Sequence, residues 1–236
     1  MIYFEKSYIF ALYFKNNFIT MENFKFLKPV VHVVLISAIF VLAFLIVKSI
    51  QKPLSFNAEQ KRRYEVTIQR LKDIRTAQVA FRSEYKRYTG CFDTLIDYLK
   101  TGEFKVVRII GDLDDSATVA SGKIFRDTVV VSVLDSLFKK GYPVDSLRYV
   151  PFPKGVNFDE RPELRNSQFE LGINNITAGN VTVNVFEAKV PNNVLLFDLD
   201  PQLLYNFNVD RELKTRYAGL RVGSLEETTN NAGNWE

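Results

Sequence analysis

An α+β protein with a membrane anchor is what this sequence predicts: an N-terminal transmembrane helix, then a long amphipathic helix packed on an antiparallel β-sheet. Three observations predict it. Residues 30–47, VVHVVLISAIFVLAFLIV, hold only His32 and Ser37 as polar members. From Tyr64 to Tyr88 apolar residues recur every three or four positions, the period of one helix face. Beyond Gly102 the period drops to two, with β-branched residues between clusters of Gly, Asn, Asp and Pro.

The apolar run matches one bilayer crossing, which takes about 20 residues, and the span is placed at residues 29–49. A buried core helix of that length would show a polar face, and a signal peptide would carry a shorter apolar run before a small-residue cut site. His32 is expected near an interface, because no acidic partner shares the span. Ahead of it lies a tail, residues 1–28. Its first twenty residues, MIYFEKSYIFALYFKNNFIT, read as an over-extended start before Met21, or else as an interfacial segment.

Sidedness rests on two opposed signals. Lys25 and Lys28 precede the span, whereas Lys48, Lys52, Lys61, Arg62 and Arg63 follow it, which favours a cytoplasmic C-terminal part. Against this, Asp93-Thr94-Leu95, Asp115-Ser116-Ala117, Asp127-Thr128-Val129, Asp135-Ser136-Leu137 and Asp145-Ser146-Leu147 resemble the acceptor pattern of a periplasmic O-glycosylation system found in some Gram-negative bacteria. Ordinary composition would supply about one such triplet or fewer. Turn and helix-cap chemistry generates the same pairs. The expectation is a single-pass inner-membrane protein with a periplasmic C-terminal domain.

Residues 50–56 read as a linker broken by Pro53, since proline cannot continue a helix interior. Asn57, with Gln60 three residues on, reads as the N-cap of the next helix. Tyr64, Ile68, Leu71, Ile74, Gln78, Phe81, Tyr85 and Tyr88 then line one side of a helix roughly 45 Å long, at 1.5 Å per residue. Ile68, Leu71, Ile74, Phe81, Tyr85 and Tyr88 are the expected packing residues. The other faces carry Lys61, Arg62, Arg63, Arg70, Lys72, Arg75, Arg82, Lys86 and Arg87, a solvated surface whose cations are not interleaved with aromatics, so no nucleic acid is expected as a partner. Gly90 is expected to release the chain from the helix, and Asp93 to cap a short helix, TLIDYLK, ended by Gly102.

Strands are expected at FKVVRII, KIFRDTVVVSV, SLRYVPF, QFELGI, NVTVNVFEAKV, NVLLFDL and GLRVGSL, with a helix at residues 201–213. Val181, Val183 and Val185, alternating with Thr182, Asn184 and Phe186, suggest one dry face for the long helix to cover. The domain is placed at residues 57–228, followed by a loose tail.

The sequence assigns no catalytic, cofactor-binding or metal-binding residue. Cys91 is the only cysteine and His32 the only histidine, so no internal disulfide forms and a His/Cys zinc site lacks its ligands. The loop from Gly111 to Ser116, GDLDDS, lacks the ligand spacing of a calcium loop and reads as a surface turn. Asp198 and Asp200 could pair as acid and base, but alternate residues at the end of a strand give the same pattern without chemistry. A net charge of +4 is mild for phosphate neutralisation, so the lipid bilayer is the expected acidic partner.

The hydrophobic anchor, the helix pattern Leu71, Ile74, Ala77, Ala80-Phe81, Tyr85 and Tyr88, and the Gly-containing turn before Asp93-Thr94-Leu95 together resemble the type IV pilins and type II secretion pseudopilins. That resemblance covers about a third of the chain. It implies a pilin-like fold, no enzymatic activity, envelope protein partners and a structural or assembly role in a pilus or secretion-like machine. The family's processing site and its Glu early in the apolar segment have no match between Met21 and Val33, which leaves the mode of assembly and the oligomeric state open. The alternative is a membrane-tethered module that binds a ligand or partner through its sheet.

Overall fold

The computed structural model describes residues 27–110, 125–178 and 181–236 of the chain. They divide into two compact units between Ser55 and Phe56. Helix α1 (Leu27–Tyr85) contributes to both, and Pro53 lies inside it. The expected break at residues 50–56 and the cap at Asn57 are therefore corrected. Pro53 withholds one N–H from the ladder and crowds the carbonyl four residues back. Strong helix formers follow it in AEQKRR, and the exposed Ser55 hydroxyl donates to Lys52 O at 2.9 Å.

In the first unit every described side chain from Pro29 onward is exposed, and Phe40 reaches 72%. This exposed apolar helix is long enough to cross a membrane.

The second unit, Phe56–Glu236, holds the core. Tyr64, Leu71, Ile74, Ala77 and Phe81 of α1 are all buried, as the three- and four-residue spacing requires. Ile68 packs against them in part. Tyr85 differs from expectation, being exposed although its ring stacks on Phe81 at 4.6 Å. It is the last helical residue, because Lys86 takes a left-handed φ of 59° and its N–H closes on Arg82 O. Lys86, not Gly90, ends the helix. Tyr88 lies beyond that turn, buried against Phe186 at 4.8 Å between ring centroids.

Gln78 interrupts the apolar stripe, yet it is fully buried. Its amide donates to Thr89 O at 2.6 Å and accepts from Thr89 N at 3.2 Å, which pins the returning chain and satisfies both ends of the amide. Helix α2 (Phe92–Thr101) starts from Cys91 rather than Asp93, which sits in its first turn. Gly102 follows, where a β-carbon would come within 2.5 Å of Tyr98 O and 2.8 Å of Val133 Cγ2. Close approach, not an unusual φ, requires glycine there.

Strands β1 (Glu103–Ile110) and β2 (Phe125–Ser132) form an antiparallel pair from Glu103↔Ser132 to Ile110↔Phe125. The GDLDDS loop lies outside the described residues. Helix α3 (Val133–Leu137) follows β2 directly. The expected strand at SLRYVPF is instead a 3-10 turn over Val144–Arg148, after which only Tyr149 bridges to Gln168. Pro143, Pro151 and Pro153 withhold the donors a ladder needs. A second 3-10 turn spans Pro162–Asn166.

Strands β3 (Glu170–Ala178), β4 (Val181–Pro191) and β5 (Gly219–Gly223) form an antiparallel sheet with β4 in the middle. The face that joins the core carries Phe186, Ala188 and Val190 with Leu220 and Val222, opposite in parity to the valines expected there. Val181 and Val183 lie beyond the reach of β5, so the apolar alternation at that end covers no core. The expected strand NVLLFDL is helix α4 (Asn192–Leu195) and a turn, with Leu195 and Leu196 fully buried. A short apolar run reads equally as a strand or a buried helical turn.

Helix α5 (Pro201–Thr215) brings Phe207 against Phe56 and Tyr64, at 6.0 and 5.9 Å. The segment expected to be a loose tail turns back at Asn230 and Asn231, both left-handed, and pairs with β5 through the Val222↔Gly233 bridge.

Burial pushes the Tyr64 phenol from 10.0 up to about 12, against the opposing pull of Arg211. The folded state therefore keeps this proton longer than the unfolded chain does. Its contribution to stability is whole below about pH 10 and is lost as pH rises through about 12. Denaturant unfolding between these limits should show wild type losing stability faster than Tyr64→Phe, so that the gap between them narrows with pH.

Candidate functional site

Two polar constructions stand out in the second unit. One is a buried clasp on Arg63, which is 2% exposed. Its Nε donates to Glu59 Oε1 at 2.7 Å, Nη1 to Asp198 Oδ1 at 2.5 Å and Leu195 O at 2.7 Å, and Nη2 to Asp198 Oδ2 at 3.0 Å. The fork of the guanidinium matches the carboxylate in a bidentate pair. Burial alone would lower the Arg63 pKa, but the bonds from Asp198 and Glu59 outweigh it and raise it. Glu59, bonded first by Arg62 and then by Arg63, is held below the usual carboxylate range.

This geometry separates the two carboxylates that the sequence set side by side. Asp198 faces Arg63, whereas Asp200 caps α5, accepting from the amides of Gln202 and Leu203 at 3.0 and 3.1 Å. Each performs a structural task, Asp198 holding Arg63 and Asp200 capping α5. Sequence reasoning placed Arg63 among solvated cations. Only the fold brings residues 135 positions apart together, and nothing local marks Arg63 as different from Arg62.

The second construction is an open groove beside the C-terminal half of α1. A 670 Å³ hollow is floored by Val79, Ala80, Phe104 and Leu137 and rimmed by Arg75, Arg82 and Asn231. A narrower 280 Å³ slot adjoins it, between residues 183–186 of β4 and residues 227–231. Arg82, Tyr88, Asn230 and Asn231 line both. Arg82 Nη1 donates to Tyr88 Oη at 3.0 Å, and Asn231 Nδ2 donates to the same oxygen at 3.0 Å. Arg75 is engaged by Glu236 at 2.7 Å.

Three of the five Asp-Ser/Thr triplets begin in the first turn of a helix: Asp93 in α2, Asp135 in α3 and Asp145 in the first 3-10 turn. A carboxylate there complements the unpaired N–H groups, which accounts for these three without modification. Ser146 accepts from Arg70 Nη1 at 2.7 Å and donates to Pro143 O at 2.6 Å. Thr94, Thr128 and Ser136 are exposed, and Ser116 lies outside the described residues.

Cys91 is exposed at the start of α2. Its thiol pKa is lowered by the backbone N–H groups of Thr94 and Asp93. Among the described residues no cluster of three His, Cys, Asp or Glu side chains could hold a metal ion. The chain matches no known family, no characterised protein and no solved structure.

The two carboxylates yield distinct signatures. Asp198→Ala strands the Arg63 guanidinium and should cost about 3 kcal/mol, as for a broken buried pair. Asp200→Ala removes one helix cap and should cost about 1 kcal/mol. Chemical denaturation of both variants checks the order, and a larger loss for Asp200→Ala would refute the clasp.

Proposed function

We propose that this chain is a non-enzymatic, single-pass inner-membrane protein whose periplasmic, pilin-like α+β domain is an assembly component of a cell-envelope machine. The observation that carries this reading is the exposure of every side chain at residues 30–47, nearly all of them apolar. Eighteen contiguous positions of that kind are stable only in lipid or against another apolar surface.

Two features of the domain support assembly. The aromatic and aliphatic face of α1 shares one core with an antiparallel sheet, the arrangement the pilin resemblance implies. The outer edge of β3 pairs with no described strand, and Ile173 on it is 51% exposed. Unpaired strand edges are templates for another chain. The second reading, a membrane-tethered binding module, is favoured by the groove between Arg75, Arg82 and Phe104.

Membrane fractions should retain the full-length chain through salt and alkaline washes and release it only to detergent. Protease added to intact spheroplasts should degrade the domain, and deletion of residues 1–55 should yield a soluble folded unit. Recovery in the salt wash would remove the anchor, and full protection in spheroplasts with digestion after lysis would place the domain in the cytoplasm.

A further inference from the structure

Strand β4 is covered on the β5 side along only half its length. Strand β5 pairs with residues 187–191 and turns away at Gly223, whose φ is 74°. A β-carbon on Gly219 would fall 2.3 Å from Val190 O, and one on Gly223 would fall 2.1 Å from Phe186 O. The even-numbered residues of β4 therefore aim their backbone groups toward β5, because the direction alternates along a strand. By the same alternation Asn184 and Thr182 aim an N–H and a C=O past the end of β5, where no described strand pairs with them.

Asn184 lines the 280 Å³ slot, which has Ser224 and residues 227–231 as its far wall, and Thr182 continues the same edge just outside it. A backbone edge inside a walled slot differs from an edge in open solvent, since water is partly displaced and an incoming strand meets two sides at once. The slot is also electrically unbalanced. Of its charged lining residues, Glu227 is engaged by Arg216. Arg82 is exposed, is steered by the Tyr88 hydroxyl and ring, and pairs with no carboxylate among the described residues.

We infer that this slot receives an extended polypeptide segment, which adds to β4 as a strand beside Thr182 and Asn184 and sets an acidic group against Arg82. Backbone bonding supplies the affinity of such an addition, and the charge supplies its polarity. The assignment of the segment to an envelope partner rests on the assembly reading; the slot's preference for an acidic strand does not.

The test uses the full chain in lipid nanodiscs and three probes: the peptide acetyl-Thr-Val-Thr-Val-Asp-amide, its Asn-terminated counterpart, and its fully backbone N-methylated copy. Hydrogen exchange at the Asn184 amide should slow at least tenfold when the first peptide saturates, and should not change with the N-methylated copy. The Asn-terminated peptide should bind about threefold to fivefold more weakly, the weight of an exposed ion pair. Arg82→Ala should make the two peptides equal. Thr182→Pro removes an N–H on the same edge of β4 as Asn184, where the added strand would continue, and leaves the β3 ladder intact, so it should abolish protection while Trp235 fluorescence stays native. Absence of protection at the solubility limit, equal protection by the N-methylated copy, or protection retained in Thr182→Pro would each overturn the inference. Peptide binding by a chain that salt washes off membranes would sink the assembly reading and leave the slot standing; an envelope-bound chain that ignores the peptide would do the reverse.

Discussion

One face of α1 has to be kept from water, and the second unit is arranged around that demand. Leu71, Ile74, Ala77 and Phe81 are buried along it, each large side chain contributing about 1.5–3 kcal/mol on removal from water. No single element covers this face. Tyr98 of α2 sets its ring edge-on to Phe81, Phe207 of α5 meets Tyr64, and the sheet brings Phe186, Ala188 and Val190 into the same cluster. Helix and sheet are therefore not separate layers added in turn but mutual conditions of one core.

Burying that face forces polar groups inside with it, and their satisfaction gives the fold its specificity. Arg63 precedes Tyr64 and enters the core, where Asp198, Glu59 and Leu195 O supply four bonds. Tyr64 donates to Asn192, which passes the chain on to Asn208 and from there to Asn193. Gln78 holds Thr89 and so fixes where the chain goes after Lys86. Apolar contact tolerates sliding, whereas these directional bonds are satisfied in one register only. The clasp also fixes the turn before α5, which in turn places Phe207.

The same construction leaves certain surfaces unfinished. Strand β5 stops at Gly223 because the chain needs a left-handed residue there to turn away, and beyond that point β4 has no strand neighbour on this side among the described residues. The C-terminal segment returns alongside β5 instead of extending the sheet, and its Asn230-Asn231 turn builds the far wall of the slot. An incomplete sheet edge is suited to meeting another chain.

The sequence by itself determined the apolar segment, the amphipathic stripe and the change of period after Gly102, because each is a property of consecutive residues and needs no partner to be read. It located β1, β2, β4 and β5, and the first half of β3, for the same reason. The tertiary structure alone decided that NVLLFDL and SLRYVPF turn rather than extend, since a short apolar run satisfies either conformation and packing chooses between them. It alone separated Asp198 from Asp200, chose Phe186 over Val185 for the face of the core, and took Arg63 out of a row of surface cations. Those outcomes depend on which distant residue arrives, and adjacency in the chain carries no record of it.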